Sequence, residues 1–123
     1  MILVDTSIWI DHLRTADERL ARWLGDGQVL AHPFVIGELA LGNLHNREVV
    51  LQALQDLPQT CVATELEVLR FINEKKLSGV GLGYLDTHLL VAVFLTPGTQ
   101  LWTRDKRLLA GGTRLGIAAS ISH

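Results

Sequence analysis

Asp5, Glu38, Asp86 and Asp105 are the residues of this chain best suited to chemistry, because each lies in or at the edge of an apolar segment. Asp5 ends the run Met1–Val4, and Glu38 sits inside Phe34-Val-Ile-Gly-Glu-Leu-Ala-Leu41. Asp86 interrupts the segment from Tyr84 to Leu95, and Asp105 follows Gln100-Leu-Trp-Thr103. Carboxylates are rarely buried unless they are paired or bind metal. Four of them in such settings suggest a shared reason, and the simplest is a hard divalent cation held by carboxylate oxygens. Mg²⁺ or Mn²⁺ held by carboxylates can activate water near neutral pH and stabilise the leaving oxygen of a phosphodiester. One Cys and five scattered His give no zinc pattern.

Each acid also has a structural reading. Asp5 could cap the helix that opens at Thr6, and Asp105 could cap the helix after Thr103. Asp86 could lie in a helix first turn, favoured by the dipole, and Glu38 could pair with an Arg. The four structural readings together are less economical, because Glu38 and Asp86 have no Lys or Arg within four positions. Ser7 and Thr103 are hydroxyls beside two of the acids, suited either to capping or to orienting a water or phosphate. His88 follows Asp86 by two positions and points to another helix face, so a core or surface role suits it. Gly79-Val-Gly-Leu-Gly83 matches neither the dinucleotide fingerprint nor the Walker pattern and reads as a flexible turn.

The elements that must position these groups alternate between short strands and helices. Met1–Asp5 reads as a buried strand, apolar throughout as central parallel strands are. Thr6-Ser7 opens a short helix, and Thr15-Ala-Asp-Glu18 has capping-box spacing for the next. That helix sets Leu20, Trp23 and Leu24 on one face. Gln28–Ala31 is a second strand candidate, and Pro33 suits the first turn of the Glu38 helix, which ends near Gly42. Residues 47–57 read as a helix stopped by Pro58, residues 60–63 as a short strand, and Thr64-Glu-Leu-Glu67 as a capping box. Tyr84–Leu95 reads as a buried helix, Gln100–Thr103 as a strand and Arg104–Ala110 as a short helix. Gly111-Gly112 reads as a turn, residues 114–118 as a last strand, and the tail to His123 as loose. This alternation indicates α/β architecture with a parallel sheet, in which ligands bind beyond the carboxyl ends of the strands.

A chain of 123 residues fits one compact domain, 1–123, and its 48% apolar content supports a core. The longest apolar run, Leu89–Leu95, is seven residues, so no membrane span is expected. The apolar N-terminal run has no basic segment before it and does not read as a signal peptide. The lone Cys61 forms no intrachain disulfide and suits a cytoplasmic location. Net charge is −2, but without the four acids eleven Lys and Arg stand against nine acids, so the sum does not argue against a nucleic-acid partner. Arg104, Lys106 and Arg107 cluster after Thr103, either as a solvated face or as contacts to phosphates.

The segments Val4-Asp-Thr-Ser-Ile-Trp-Ile10, Val35-Ile-Gly-Glu-Leu39 with Gly42, Gly81–Leu90 and Trp102-Thr-Arg-Asp-Lys-Arg-Leu108 resemble the motifs of PIN-domain ribonucleases. Their order and spacing, and the chain length, are most similar to the VapC-type toxins of toxin–antitoxin pairs. The resemblance implies a three-layer α/β/α fold with a short parallel sheet. It also implies an acidic site binding Mg²⁺ or Mn²⁺, and endonucleolytic cleavage of tRNA or rRNA that leaves 5′ phosphates. The family's acids map onto Asp5, Glu38, Asp86 and Asp105, and its site hydroxyl onto Thr103. In this reading Asp5, Asp86 and Asp105 hold the metal and Glu38 completes the site. The family further implies a VapB-like antitoxin and a homodimer. The competing readings are a PIN-type nuclease with a non-toxin role in RNA or DNA processing, a non-catalytic metal-binding module, and a phosphoacceptor receiver domain. The receiver reading lacks the paired first-strand acids and the mid-chain acceptor Asp of that class.

Overall fold

Three consecutive apolar residues, Ile2, Leu3 and Val4, form the central strand β1, and all three are buried. A strand covered on both faces needs such an uninterrupted run. The computed structural model describes residues 1–121; the end of the tail, read above as loose, lies outside the described residues. β1 pairs in parallel with β2 (Val29–Leu30) on one side and with β3 (Gln100–Trp102) on the other. The order β2-β1-β3 reverses direction at β1, so the crevice between the carboxyl ends of β1 and β3 is a topological switch point, where α/β folds bind ligands.

The helices are α1 (Thr6–Arg14), α2 (Glu18–Gly25), α3 (Pro33–Leu41), α4 (Arg47–Asp56), α5 (Glu65–Glu74), α6 (Tyr84–Leu95) and α7 (Lys106–Arg114). α3 packs with α1 and α4, whereas α6 packs with α5 and α7. The sheet between these groups is the middle layer of a three-layer α/β/α, PIN-like fold. The main core joins Ile2, Leu3 and Val4 to Ile8, Leu89, Leu90, Leu101 and Trp102. Each fully buried aliphatic side chain contributes roughly 1.5–3 kcal/mol. This packing clamps the strand ends from which Asp5 and Thr103 project.

Pro33 stands at the first position of α3, and Thr64 with Glu67 forms the expected capping box of α5. Glu67 N–H donates to Thr64 Oγ1 at 3.1 Å, and Thr64 N–H donates to Glu67 Oε1 at 2.9 Å. Thr64→Ala is expected to lower stability by about 1 kcal/mol, measured as a shift in the urea midpoint at unchanged slope.

Several local expectations are corrected. Thr15 does not open α2; it follows the end of α1, and Asp17 caps α2, accepting from Arg19 N–H at 2.9 Å. Gly111-Gly112 is no turn, because α7 continues through both to Arg114. These glycines serve close packing: a Cβ on Gly111 would stand 3.2 Å from Leu90 Cδ1, and one on Gly112 3.4 Å from Ala118 Cβ. The strand expected at residues 60–63 is absent, the only bridge nearby among the described residues being that of Ala31 with Gln59 just before it, and the strand expected at 114–118 is reduced to a single parallel bridge of Leu101 with Ala118. At one edge the chain must already enter α5, and at the other Arg114 is still helical.

Candidate active site

Register places the first acid. Val4 lies opposite Trp102, and Asp5 N–H donates to the Trp102 carbonyl at 3.0 Å. Asp5 and Thr103 therefore emerge side by side at the switch point. Thr103 Oγ1 donates to Asp5 Oδ2 at 2.7 Å, and Ser7 Oγ donates to the same oxygen at 2.9 Å. Asp5 stands at the N-cap of α1 but makes no side-chain capping bond, so the capping reading of this buried residue fails. Its Oδ2 is fully engaged, which orients the carboxylate and leaves Oδ1 for another task.

The two hydroxyls also organise the loop after β3. Thr103 Oγ1 accepts from Asp105 N–H at 3.0 Å, and Ser7 Oγ accepts from Arg104 N–H at 3.1 Å. Asp105 does cap its helix, its Oδ1 accepting from Leu108 N–H at 2.9 Å. The cap uses Oδ1 and leaves Oδ2 without a hydrogen bond among the described residues. The exposed Glu38 on α3 accepts from Thr6 Oγ1 at 3.3 Å. Asp86 is half-buried in the first turn of α6.

Electrostatics ties the four together. The Asp86 carboxyl is pushed up to about 6, first by burial and then by the negative charges of Asp5, Asp105 and Glu38. Glu38 is also raised, first by burial, against which the Thr6 hydrogen bond acts, with Asp5 adding to the rise. Among the described residues, no Lys, Arg or His forms a salt bridge with any of the four. All donors are hard oxygens with an uncompensated negative charge, which suits Mg²⁺ or Mn²⁺. In this arrangement no three donors among the described residues close to metal-ligating distance. The structure thus brings the four acids into one electrostatic cluster, not into a finished coordination shell.

The basic residues divide. Arg104 forms salt bridges with Asp11 and Asp17, the latter at 3.4 Å, so two carboxylates flank its guanidinium. Arg107 Nη1 donates to the Gly81 carbonyl at 3.3 Å, and Lys106 is exposed. His88 is buried between the rings of Phe34 and Tyr84, so the core role applies. Sequence reasoning missed the acids that hold Arg104, because Asp11 and Asp17 lie 93 and 87 positions away. It also missed Thr6 as the partner of Glu38; no local signal marks that pair.

Over 118 residues, covering 96% of this chain and 95% of the relative, the chain is 53% identical to Ribonuclease VapC32 of Mycobacterium tuberculosis, in strain CDC 1551 / Oshkosh and equally in strain ATCC 25618 / H37Rv. No protein-family model matches the chain. Identity of that extent, on a three-layer parallel fold with its acids at the switch point, places this chain in the VapC family of PIN-domain ribonucleases.

Proposed function

We propose that the chain is the toxin of a toxin–antitoxin pair, a Mg²⁺- or Mn²⁺-dependent endoribonuclease that hydrolyses phosphodiester bonds in tRNA or rRNA. The observation that carries this reading is the unpaired carboxylate cluster at the switch point, with Asp86 pushed up to about 6 by burial first and then by its three acidic neighbours. Asp5, Asp86 and Asp105 would hold the cation, with Glu38 completing the set. The bound cation supplies Lewis-acid activation of water and charge neutralisation at the phosphate. Thr103 and Ser7 hold Asp5 in one orientation. Glu38, on the exposed side of the cluster, is suited to orient the attacking water or take its proton. Such cleavage would leave a 5′ phosphate and a 3′ hydroxyl.

A protein inhibitor fits the surface beside Glu38. A groove of about 430 Å³ there is lined by Ile10, Leu13, Leu39 and Leu44, and offers an apolar seat to an antitoxin helix. No described helix is long and apolar enough to cross a membrane, and we place the protein's action in the cytoplasm.

The purified chain is expected to cut structured RNA with Mg²⁺ or Mn²⁺ and to stop when a chelator is added. Mn²⁺ should also raise its thermal midpoint at pH 7, as ligand linkage requires. No cleavage and no thermal shift would favour a non-catalytic module, and cleavage without toxicity on expression alone would favour an RNA-processing role.

Thr103→Val removes the hydroxyl that joins Asp5 to Asp105 while keeping the shape of the side chain. Loss of such a supporting bond is expected to lower kcat about 10- to 100-fold. Thr103→Ser should retain most of the activity, and equal losses in both variants would contradict the assignment of the hydroxyl.

A further inference from the structure

Two arginines hold the segment that leads into α6 against α7. Arg114 Nη2 donates to the Lys75 carbonyl at 2.9 Å, and Arg107 Nη1 donates to the Gly81 carbonyl at 3.3 Å. The backbone at Gly81 lies close on the Arg107 stem: a Cβ there would stand 3.5 Å from Arg107 Cδ, and its φ of +88° favours glycine in any case. Between segment and helix runs a groove of about 240 Å³. Lys106, Arg107 and Arg114 line one wall, Val80 and Leu82 face them, and no acid lines it. None of the three cations forms a salt bridge among the described residues.

Both walls start at the acid cluster. α7 begins directly after Asp105, and the opposing segment ends at Gly83, the N-cap of the helix that carries Asp86. The other flank of the cluster differs. The hollow beside Arg104 is lined by Asp11 and Asp17 as well as by Arg14, and the two acids pair with the Arg104 guanidinium. A polyanion approaching the cluster therefore meets three cations and no acid along this groove, and two cations matched by two acids in the hollow beside Arg104.

We propose that this groove is the track for the phosphates of the RNA strand next to the cleavage point, with Lys106, Arg107 and Arg114 as its contacts and Arg104 outside it. The proposal deepens the ribonuclease reading and rests on it for the identity of the polyanion. The apolar wall at Val80 and Leu82 leaves sugars and bases without sequence-reading contacts, so the track binds single-stranded RNA by charge.

The test is binding, which needs no cleavage. A fluorescent single-stranded RNA oligonucleotide is titrated with the full chain in chelator, at several KCl concentrations, and read by anisotropy. Each phosphate contact in a single strand contributes about 0.7 to the slope of log K against log salt. Lys106→Ala and Arg114→Gln should each reduce the slope by about that amount, and Arg104→Ala should leave it unchanged. Arg114→Gln loses an exposed bond to the Lys75 carbonyl, and Lys106 is exposed, so neither variant is expected to lose its fold; equal circular dichroism checks this. Unchanged slopes in both groove variants, or an equal fall in Arg104→Ala, would overturn the track. Normal slope losses in a chain that never cuts RNA would instead preserve the track and remove the ribonuclease reading.

Discussion

Asp86→Asn is expected to make the metal-free protein more stable at pH 7 while abolishing its RNA cleavage. The Asp86 carboxyl is pushed from an ordinary value of 3.8 up to about 6 in the folded chain. Below about pH 4 both the folded and the unfolded chain carry the proton, and the group costs nothing. Between pH 4 and 6 the folded chain holds a proton that the unfolded chain has released, so stability falls as pH rises. Above about pH 6 the full penalty is present. Taken at face value, the shift corresponds to roughly 3 kcal/mol, and solvent screening of a half-buried group reduces this to about 1 kcal/mol. The asparagine variant escapes that penalty, so its midpoint should rise by about 4 °C at pH 7 and by little at pH 4. The comparison must be made with wild type at each pH, because His32 works in the opposite direction. Burial, with a smaller contribution from His88, holds its imidazole down at about 4, so its contribution to stability is lost as pH falls from 6.5. Added Mn²⁺ should stabilise wild type more than the variant. A variant less stable than wild type at pH 7 would show that Asp86 holds the fold together.

Asp5→Asn is expected to lower kcat on the order of 10³-fold with little change in stability. An amide can turn its carbonyl oxygen toward Ser7 Oγ and Thr103 Oγ1 and keep both hydrogen bonds that Asp5 Oδ2 now accepts. Its NH₂ group then takes the place of Oδ1 and presents a donor where a cation needs an oxygen. The same change removes a charge that raises both Asp86 and Glu38. Both carboxyls should therefore titrate lower in the variant, which carbon-detected NMR can follow. Near-wild-type cleavage by a correctly folded Asp5→Asn protein would separate the acid cluster from the reaction.

The parts of this site that were legible in the sequence are those set by strand ends and helix starts. An apolar run ending in Asp5 and another ending in Thr103 become adjacent parallel strands, and adjacency follows from the parallel sheet. Asp86 belongs to the first turn of its helix, as the glycines before it suggest. Apolar neighbours in sequence proved a weaker guide to burial. Of the four acids only Asp5 is buried, while Glu38 and Asp105 are exposed. A helix turns its faces: α3 buries Val35 and Leu39, and Glu38 between them points outward. Gly111 and Gly112 were misread because a glycine pair signals a turn locally, whereas here Leu90, Leu82 and Ala118 require small residues inside a helix. The division of the basic residues was equally hidden, since the acids that balance Arg104 come from α1 and the cap of α2.

The most direct measurement is mapping of the 5′-phosphate ends produced when total RNA is incubated with the purified chain. The account predicts discrete new ends with Mg²⁺ or Mn²⁺, and none with chelator or with the Asp5→Asn protein. The same ends from the Asp5→Asn protein or in the presence of chelator, or no ends from wild type with metal, would contradict it.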